Sequence, residues 1–266
     1  MGLEMHAVVC AAVVCLIAVL AAPHVLDLRR MLSTTRVYVP CAYTRRRVHI
    51  LTLETRAIRV LAAHDRSLRD YAARHGYKYT SIRAYTPPGP ALPVYMQKLQ
   101  LMLEALEGGF EFVVWMDSDT LVSHPDVPLE AVLEREPDAH IFIGREYPAW
   151  IGVWFGYVLN AGFFVLRCSD VSDAFLRECI ELYMRNPVCK KGGKFVSAGL
   201  WAGECYEQGL MNMLLAGKYH HVVAELPSSV VASSYLTFPG AVIMHGFGKW
   251  KPHAAFERRL AELGVP

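Results

Sequence analysis

The pattern of apolar and polar positions along the chain predicts alternating strands and helices. A short aliphatic run bounded by polar or turn residues is typical of a buried strand, and apolar residues three and four apart are typical of a helix. The first predicted elements are a strand at 48–53, a helix at 56–75 with Gly76 as its C-terminal cap, a strand at 77–85, a helix at 94–106 and a strand at 112–116. Strand, helix, strand, helix, strand is the pattern of a doubly wound α/β sheet.

The second half of the chain continues this alternation less regularly. Helices are predicted at 128–135, 171–183, 207–215 and 254–263, and strands at 139–144, 163–166, 220–224 and 241–244. Residues 189–203 are rich in glycine and lysine, so we expect a mobile loop, in which 190–194 is a candidate lid over a bound ligand.

An apolar segment at the N-terminus predicts a membrane anchor. Residues 7–22 are apolar, and extension to Leu26 approaches the roughly 17–25 residues that span a bilayer. Glu4 precedes the segment and several arginines follow it, so the positive-inside rule places the carboxyl side in the cytosol. We expect a single-pass anchored protein, with a cleaved signal segment as the alternative. The predicted division is 1–30 anchor or signal segment, 31–47 linker and 48–266 single domain.

Composition restricts the functional classes. The hydrophobic share of 53% and a mean hydropathy of +0.23 allow a large core together with an apolar anchor. The net charge of +2, with acids and bases intermixed, gives no electrostatic footprint for nucleic acid. Seven cysteines without a C-x-x-C pair argue against structural zinc and against a full disulfide framework.

Two carboxylates follow the most apolar strand. The run 112–116 stops at Asp117 and Asp119, which should lie beyond the carboxyl end of the strand because an unpaired carboxylate is costly to bury. Open α/β sheets bind ligands at that edge. Two oxygen donors two residues apart suit Mg²⁺ or Mn²⁺ bridging to a diphosphate. An aspartate that caps a turn is the alternative.

Further polar side chains lie at the ends of other predicted elements. His245 follows the strand at 241–244; a structural histidine is the alternative, but a metal shared with the two aspartates explains it better. Gly248 allows close approach of a ligand to the backbone, and Lys251 supplies a point charge for phosphate.

Asn160 begins another apolar strand, where a plain turn is the alternative, and Glu207 and Gln208 open a helix. The last two either cap that helix or face a sugar's hydroxyls.

These motifs, taken in order, resemble nucleotide-sugar glycosyltransferases of the GT-A fold. They are WMDSD at 115–119, NAGFFVLR at 160–167, EQGLMN at 207–212 and HGFGKWKP at 245–252. The first three, with residues 71–79, look most like the fungal galactosyl/mannosyltransferase and plant xylosyltransferase family. The last looks like the tail motif of glycogenin and the lipopolysaccharide galactosyltransferases. The resemblance implies a Rossmann-like, mixed but mainly parallel sheet flanked by helices, and retaining transfer from a UDP-sugar to a hydroxyl of a glycan or glycoconjugate.

The resemblance also implies roles for single residues. Asp117, Asp119 and His245 match the Mn²⁺ ligands, and Glu207 with Gln208 matches the pair that faces the donor sugar and the acceptor. The implied donor-binding residues are Thr52, Lys98, Ser118, Asn160, Gly162, Gly248 and Lys251, and Lys98 is implied to contact either the donor or the two aspartates. Two positions depart from the families: Gly209 replaces a frequent carboxylate, and His253 replaces a terminal tryptophan. Members of these families commonly have their catalytic domain in the lumen, whereas the positive-inside rule places it in the cytosol here. The side of the membrane on which the domain lies therefore stays open.

Two other functions remain as alternatives. A non-catalytic sugar-binding or scaffold protein of the same fold would be expected to lose its metal ligands, and all three are present. A sugar-phosphate nucleotidyltransferase would need a glycine-rich phosphate loop after the first strand, and residues 48–56 contain no glycine.

Overall fold

The structure is a computed structural model, and it describes residues 48–58, 60–87, 89–145, 159–233, 241–246 and 254–264. All of them belong to one compact unit, Val39–Pro266. The strands are β1 (Val48–Leu53), β2 (Lys78–Ile82), β3 (Phe112–Met116), β4 (Thr120–Val122), β5 (Ile141–Arg145), β6 (Leu159–Arg167), β7 (Lys190–Lys191), β8 (Lys194–Phe195), β9 (Val223–Leu226), β10 (Val231–Ser233) and β11 (Ile243–His245). The helices are α1 (Leu61–His75), α2 (Val94–Leu106), α3 (Glu130–Leu133), α4 (Asp170–Arg185), α5 (Glu207–Ala216) and α6 (Ala254–Glu262), with a 3₁₀ turn at Pro187–Cys189.

The central sheet has six strands in the order β2-β1-β3-β6-β5-β9. Strands β2, β1 and β3 are parallel, as are β5 and β9, whereas β6 is antiparallel to both β3 and β5. The predicted mixed, mainly parallel sheet is therefore confirmed. A purely parallel doubly wound sheet would be wrong at β6.

Strand β3 is buried along its whole length because it lies in the middle of this sheet. Helices α2 and α5 pack on the sheet and α4 packs on those two helices, around core residues such as Leu99, Trp115 and Phe164. Burial on both faces explains why 112–116 shows no alternation of apolar and polar residues.

Several predicted boundaries differ from the observed ones. Helix α1 begins at Leu61 rather than 56, because residue Arg56 is held in a loop by the Glu54 carboxylate, which accepts from the backbone N of Arg56 at 2.7 Å. Its end at Gly76, in the left-handed conformation with φ 72°, is as predicted. Helix α3 has only four residues, and β6 extends over nine rather than four.

Residues 189–203 contain more structure than the predicted loop. Strands β7 and β8 form a short antiparallel hairpin within them, and a disulfide joins Cys189 to Cys205. In the described part of the chain, Cys168 and Cys179 are free.

No helix among the described residues is long and apolar enough to cross a bilayer. This finding overturns the prediction of a single-pass, membrane-anchored protein. The segment 1–30 on which that prediction relied lies outside the described residues.

Candidate functional site

Asp117, Asp119 and His245 come together at the carboxyl end of β3. One potential ligand atom from each side chain lies within 4.8 Å of the others. The chain turns after Asp117 and returns as β4, which pairs antiparallel with β11 so that Thr120 faces His245. The backbone N of Gly246 donates to the Asp119 carbonyl at 2.8 Å and closes the arrangement. The predicted convergence of two strand ends is therefore observed, through a small second sheet, β10-β11-β4.

The side chains of this cluster are ligand types that suit a divalent cation. His245 is buried, whereas the side chains of Asp117 and Asp119 are 34% and 32% exposed. Burial alone would raise the pKa of Asp119, but His245, with Nε2 at 3.1 Å from Oδ1, outweighs it and holds that pKa below its usual range. Two carboxylates and one imidazole fit Mn²⁺, since carboxylates suit Mg²⁺ and Mn²⁺ and an imidazole adds preference for a transition metal.

Gly162 provides the space that His245 occupies. A Cβ added at position 162 would lie 2.0 Å from Cε1 and 2.5 Å from Nε2 of His245. The Gly162 carbonyl also accepts from the backbone N of Asp117 at 2.8 Å. Gly162, expected from the resemblance to bind the donor, thus lies beneath the imidazole, where it positions a candidate metal ligand.

Lys98 links Asp117, at the end of β3, to Glu207, at the start of α5. It is buried, with Nζ 3.1 Å from Oδ1 of Asp117 and 2.8 Å from Oε1 of Glu207. Burial would lower the pKa of Lys98, but the two carboxylates outweigh it and raise that pKa. Trp115 Nε1 also donates to Asp117 Oδ1, at 2.6 Å, so the orientation of this carboxylate is fixed from two sides.

Glu207 and Gln208 begin α5 and turn into the interior. Gln208 Oε1 accepts from the backbone N of Ala161 at 3.0 Å, which ties the helix start to β6. Burial raises the pKa of Glu207, against the effect of Lys98. Within the described part of the chain, Glu207 Oε2 and Gln208 Nε2 are buried without a hydrogen-bond partner. Buried polar atoms normally have partners, so these two are candidates to contact a ligand.

Asn160 lies beside this pair on β6. Its Oδ1 accepts from the backbone N of Gly162 at 2.7 Å. The next residue back, Leu159, is bracketed by the amide of Asn212, which accepts from its N at 2.6 Å and donates to its O at 2.9 Å. Asn212 therefore fixes the start of β6 against α5.

Thr52 and Ser118 are placed differently from the other predicted donor-binding residues. Thr52 is fully buried, and its hydroxyl lies 2.8 Å from the Met116 carbonyl and 2.9 Å from His64 Nε2. Ser118, between the two aspartates, donates to Glu54 Oε2 at 2.6 Å. Both hydroxyls hold the turn after β3 rather than face the candidate metal site.

His64 and Glu54 support this turn and were missed in the sequence. His64 Nδ1 lies 2.8 Å from the Thr120 carbonyl, which can only accept, so Nδ1 carries a hydrogen. Burial lowers the pKa of His64. Burial would raise the pKa of Glu54, but hydrogen bonds from Arg56 and Ser118 outweigh it and lower that pKa to about 2. Glu54 follows a buried strand as Asp117 does, and that shared pattern could have identified it.

Gly248 and Lys251, expected to hold the diphosphate, lie outside the described residues. Their roles stay predictions.

Comparisons with known proteins identify the fold. No family model matches the chain, and no curated protein matches it. A glycosyltransferase involved in the glycosylation of the major capsid of PBCV-1 is similar in structure, with a TM-score of 0.57 and 14% identity over 85% of this chain and 100% of that one. The glycosyltransferase GlyE of Streptococcus pneumoniae TIGR4 is also similar, with TM-scores of 0.50 and, in its apo form, 0.52 at 13% and 12% identity. This chain spans 61% of the length of GlyE. The chain has the fold of these glycosyltransferases.

Proposed function

We propose that this protein is a metal-dependent glycosyltransferase. It transfers a hexose or pentose from a nucleotide-diphosphate donor, a UDP-sugar by resemblance, to a hydroxyl of a glycan or glycoconjugate, with retention. The observation that carries the proposal is the convergence of Asp117, Asp119 and His245 at the end of β3, in a fold shared with glycosyltransferases. The catalytic domain is taken as 48–266.

The chemistry requires charge neutralisation at the leaving group. A Mn²⁺ held by Asp117, Asp119 and His245 would neutralise the charge that develops on the nucleotide diphosphate as the glycosidic bond breaks. Gly248 and Lys251 are proposed to lie against the same diphosphate.

The protein's own residues position the donor sugar. Lys98 fixes Asp117 and Glu207 in one ion-pair network, so that the candidate metal site and the candidate sugar site keep a constant relative position. Glu207 Oε2 and Gln208 Nε2 are free to bond sugar hydroxyls, and an ionised Glu207 stabilises positive charge on the sugar. In retaining transfer the acceptor hydroxyl arrives on the leaving-group face, where the departing phosphate can take its proton.

The two alternatives are weaker. A scaffold protein does not require two aspartates and a histidine within ligand distance of one another. The absence of a side chain at Gly162, which leaves room for that histidine, also favours a functional site. A nucleotidyltransferase lacks support because β1 is followed by the Glu54–Arg56 ion pair rather than by a glycine-rich phosphate loop.

The test is release of nucleotide from a panel of UDP- and GDP-sugars by the full chain, with Mn²⁺ or with a chelator. Asp119→Asn is the test variant, and Asp126→Asn is its matched control because Asp126 is an exposed aspartate paired with Arg74. We expect Mn²⁺-dependent release from one donor, reduced on the order of a hundredfold in Asp119→Asn and unchanged in the control. No release from any donor, together with no metal-dependent binding of UDP, would leave the sugar-binding alternative ahead.

A further inference from the structure

A cavity of about 700 Å³ lies between the start of α2 and the β7–β8 hairpin. Its volume is in the range of small-molecule sites. Its lining comes from two segments, which are Pro90–Tyr95 and Gly193–Ser197.

The lining of this cavity contacts the segment that precedes Glu207. The ring of Tyr95, in the lining, packs edge-on against Tyr206 with centroids 5.2 Å apart. Tyr206 directly precedes Glu207, and Lys98 follows Tyr95 by one turn of α2. A molecule in the cavity therefore lies beside the starts of α2 and α5, the two helices that carry Lys98 and Glu207.

The lining is poor in hydrogen-bonding side chains. Prolines, Leu92, Val94 and Phe195 provide most of it, and its polar side chains are Tyr95, Lys194 and Ser197. The hydroxyls of an oligosaccharide that face this lining would find few partners, at a cost of roughly 1–3 kcal/mol for each one buried. The cavity thus suits an apolar group with few polar atoms.

The polar atoms that are present suit an anion. Among the described residues, Lys194 is the only charged residue of the lining and no acid lines the cavity. No ion pair is found for Lys190, Lys191 or Lys194 within the described ranges. Lys190 Nζ lies over the Phe195 ring at 5.0 Å. The Ser197 Oγ is buried and has no hydrogen-bond partner among the described residues. An ammonium and an unpaired hydroxyl within one apolar lining favour a phosphate on the occupant.

The hairpin that carries these groups is anchored. The Cys189–Cys205 disulfide closes its base, the Val196 backbone N donates to the Cys189 carbonyl at 3.0 Å, and the Tyr183 hydroxyl donates to the Val196 carbonyl at 2.9 Å. Lys194 is thereby kept at the cavity instead of on a free loop.

We propose that this cavity is the acceptor subsite and that it takes an acceptor sugar joined through a phosphate to an alkyl chain. The alkyl chain packs between α2 and the hairpin, and the phosphate lies against Lys194 and Ser197. The assignment as an acceptor subsite depends on the proposed glycosyltransferase function, whereas the ligand chemistry of the cavity does not.

The test is direct binding of n-octyl phosphate, below its micelle concentration, to the full chain by calorimetry. Octyl glucoside is the neutral ligand with the same chain. Lys194→Glu is the test variant, and Lys191→Glu is its matched control, because both lysines are exposed on the same hairpin and only Lys194 lines the cavity. We expect the wild type to bind octyl phosphate more tightly than octyl glucoside. The affinity for octyl phosphate should fall on the order of tenfold in Lys194→Glu and stay unchanged in Lys191→Glu.

Three results would overturn the proposal: equal binding of the two ligands, equal loss in both variants, or competitive displacement of octyl phosphate by UDP, which would place the phosphate in the donor site. A protein that releases nucleotide from a donor but binds no octyl phosphate refutes this inference alone. A protein that binds octyl phosphate in the predicted way, but neither releases nucleotide nor binds UDP with metal, refutes the glycosyltransferase function and, with it, the assignment as an acceptor subsite.

Discussion

Replacing Gly162 by alanine should weaken metal binding without touching a metal ligand. The added Cβ would lie 2.0 Å from Cε1 of His245, and ordinary contact begins at 3.4 Å, so the ring must retreat by about 1.4 Å, the difference between the two. Metal–ligand distances tolerate only about ±0.2 Å. The displaced imidazole therefore leaves Asp117 and Asp119 as the remaining ligands among the described residues.

The expected magnitude follows from two effects. Removal of a group that orients a metal ligand typically lowers metal affinity about 10–100-fold. Overpacking destabilises a fold by about 1–3 kcal/mol, and a rotation of His245 away from Asp119 would relieve part of that cost.

The assay is Mn²⁺ binding to the full chain by electron paramagnetic resonance, with folding checked by circular dichroism. Gly144→Ala is the matched control, because a Cβ there would meet Val231 at 3.4 Å or more, which is ordinary contact. We expect weaker binding in Gly162→Ala alone. A folded Gly162→Ala protein that binds Mn²⁺ as tightly as the wild type would show that Gly162 does not position His245 for metal binding.

Three further predictions concern stability. Lys98→Met leaves Glu207 buried without its cation, so the free energy of unfolding in urea should fall by about 3–5 kcal/mol, and adding Glu207→Gln should restore part of it. The pKa of Glu54 is lowered from 4.5 to about 2, so ionised Glu54 stabilises the fold above pH 4.5 and this contribution is lost as the pH falls toward 2; the difference in unfolding free energy between wild type and Glu54→Gln should shrink over that interval. Replacing Cys189 and Cys205 by serine opens a loop with a sequence separation of 16 residues, which should lower the urea stability by about 3 kcal/mol.

Each of these has a contrary result. A Lys98→Met protein that is no less stable than the double variant would show that the Glu207 carboxylate costs no stability when it is buried without Lys98. A Glu54→Gln difference that is constant between pH 5 and pH 2.5 would contradict the lowered pKa. A reductant that leaves the wild-type unfolding midpoint unchanged would contradict the disulfide.

The site could be predicted where an apolar strand ends at a polar side chain. An apolar strand that ends at a carboxylate or a histidine places that side chain at the sheet edge, so Asp117, Asp119 and His245 were identified correctly as neighbours. Strands β1 and β3 and helix α2 have the predicted bounds, since their apolar runs are buried on both faces or on a clear helical stripe.

Long-range pairing could not be predicted in the same way. The antiparallel direction of β6 depends on which strand it joins, and β4 has only three residues, too few to show a period. The bonds of Lys98 to both Asp117 and Glu207 need contacts across three elements.

The structure explains why Gly209 differs from the carboxylate that is frequent in the families that this sequence resembles. A Cβ at position 209 would lie 2.0 Å from the Gly203 carbonyl and 2.5 Å from that of Ala202. The backbone that precedes α5 fills the space in which those families often carry a carboxylate. The sequence shows the glycine but not the chain segment that requires it.

The most direct test of the central claim is anomalous diffraction at the manganese edge from crystals grown with Mn²⁺ and UDP. We expect one anomalous peak within about 2.0–2.3 Å of Asp119 and His245, with Asp117 and the diphosphate of UDP as its further neighbours. A manganese peak elsewhere, or UDP bound with no metal beside these side chains, would contradict it.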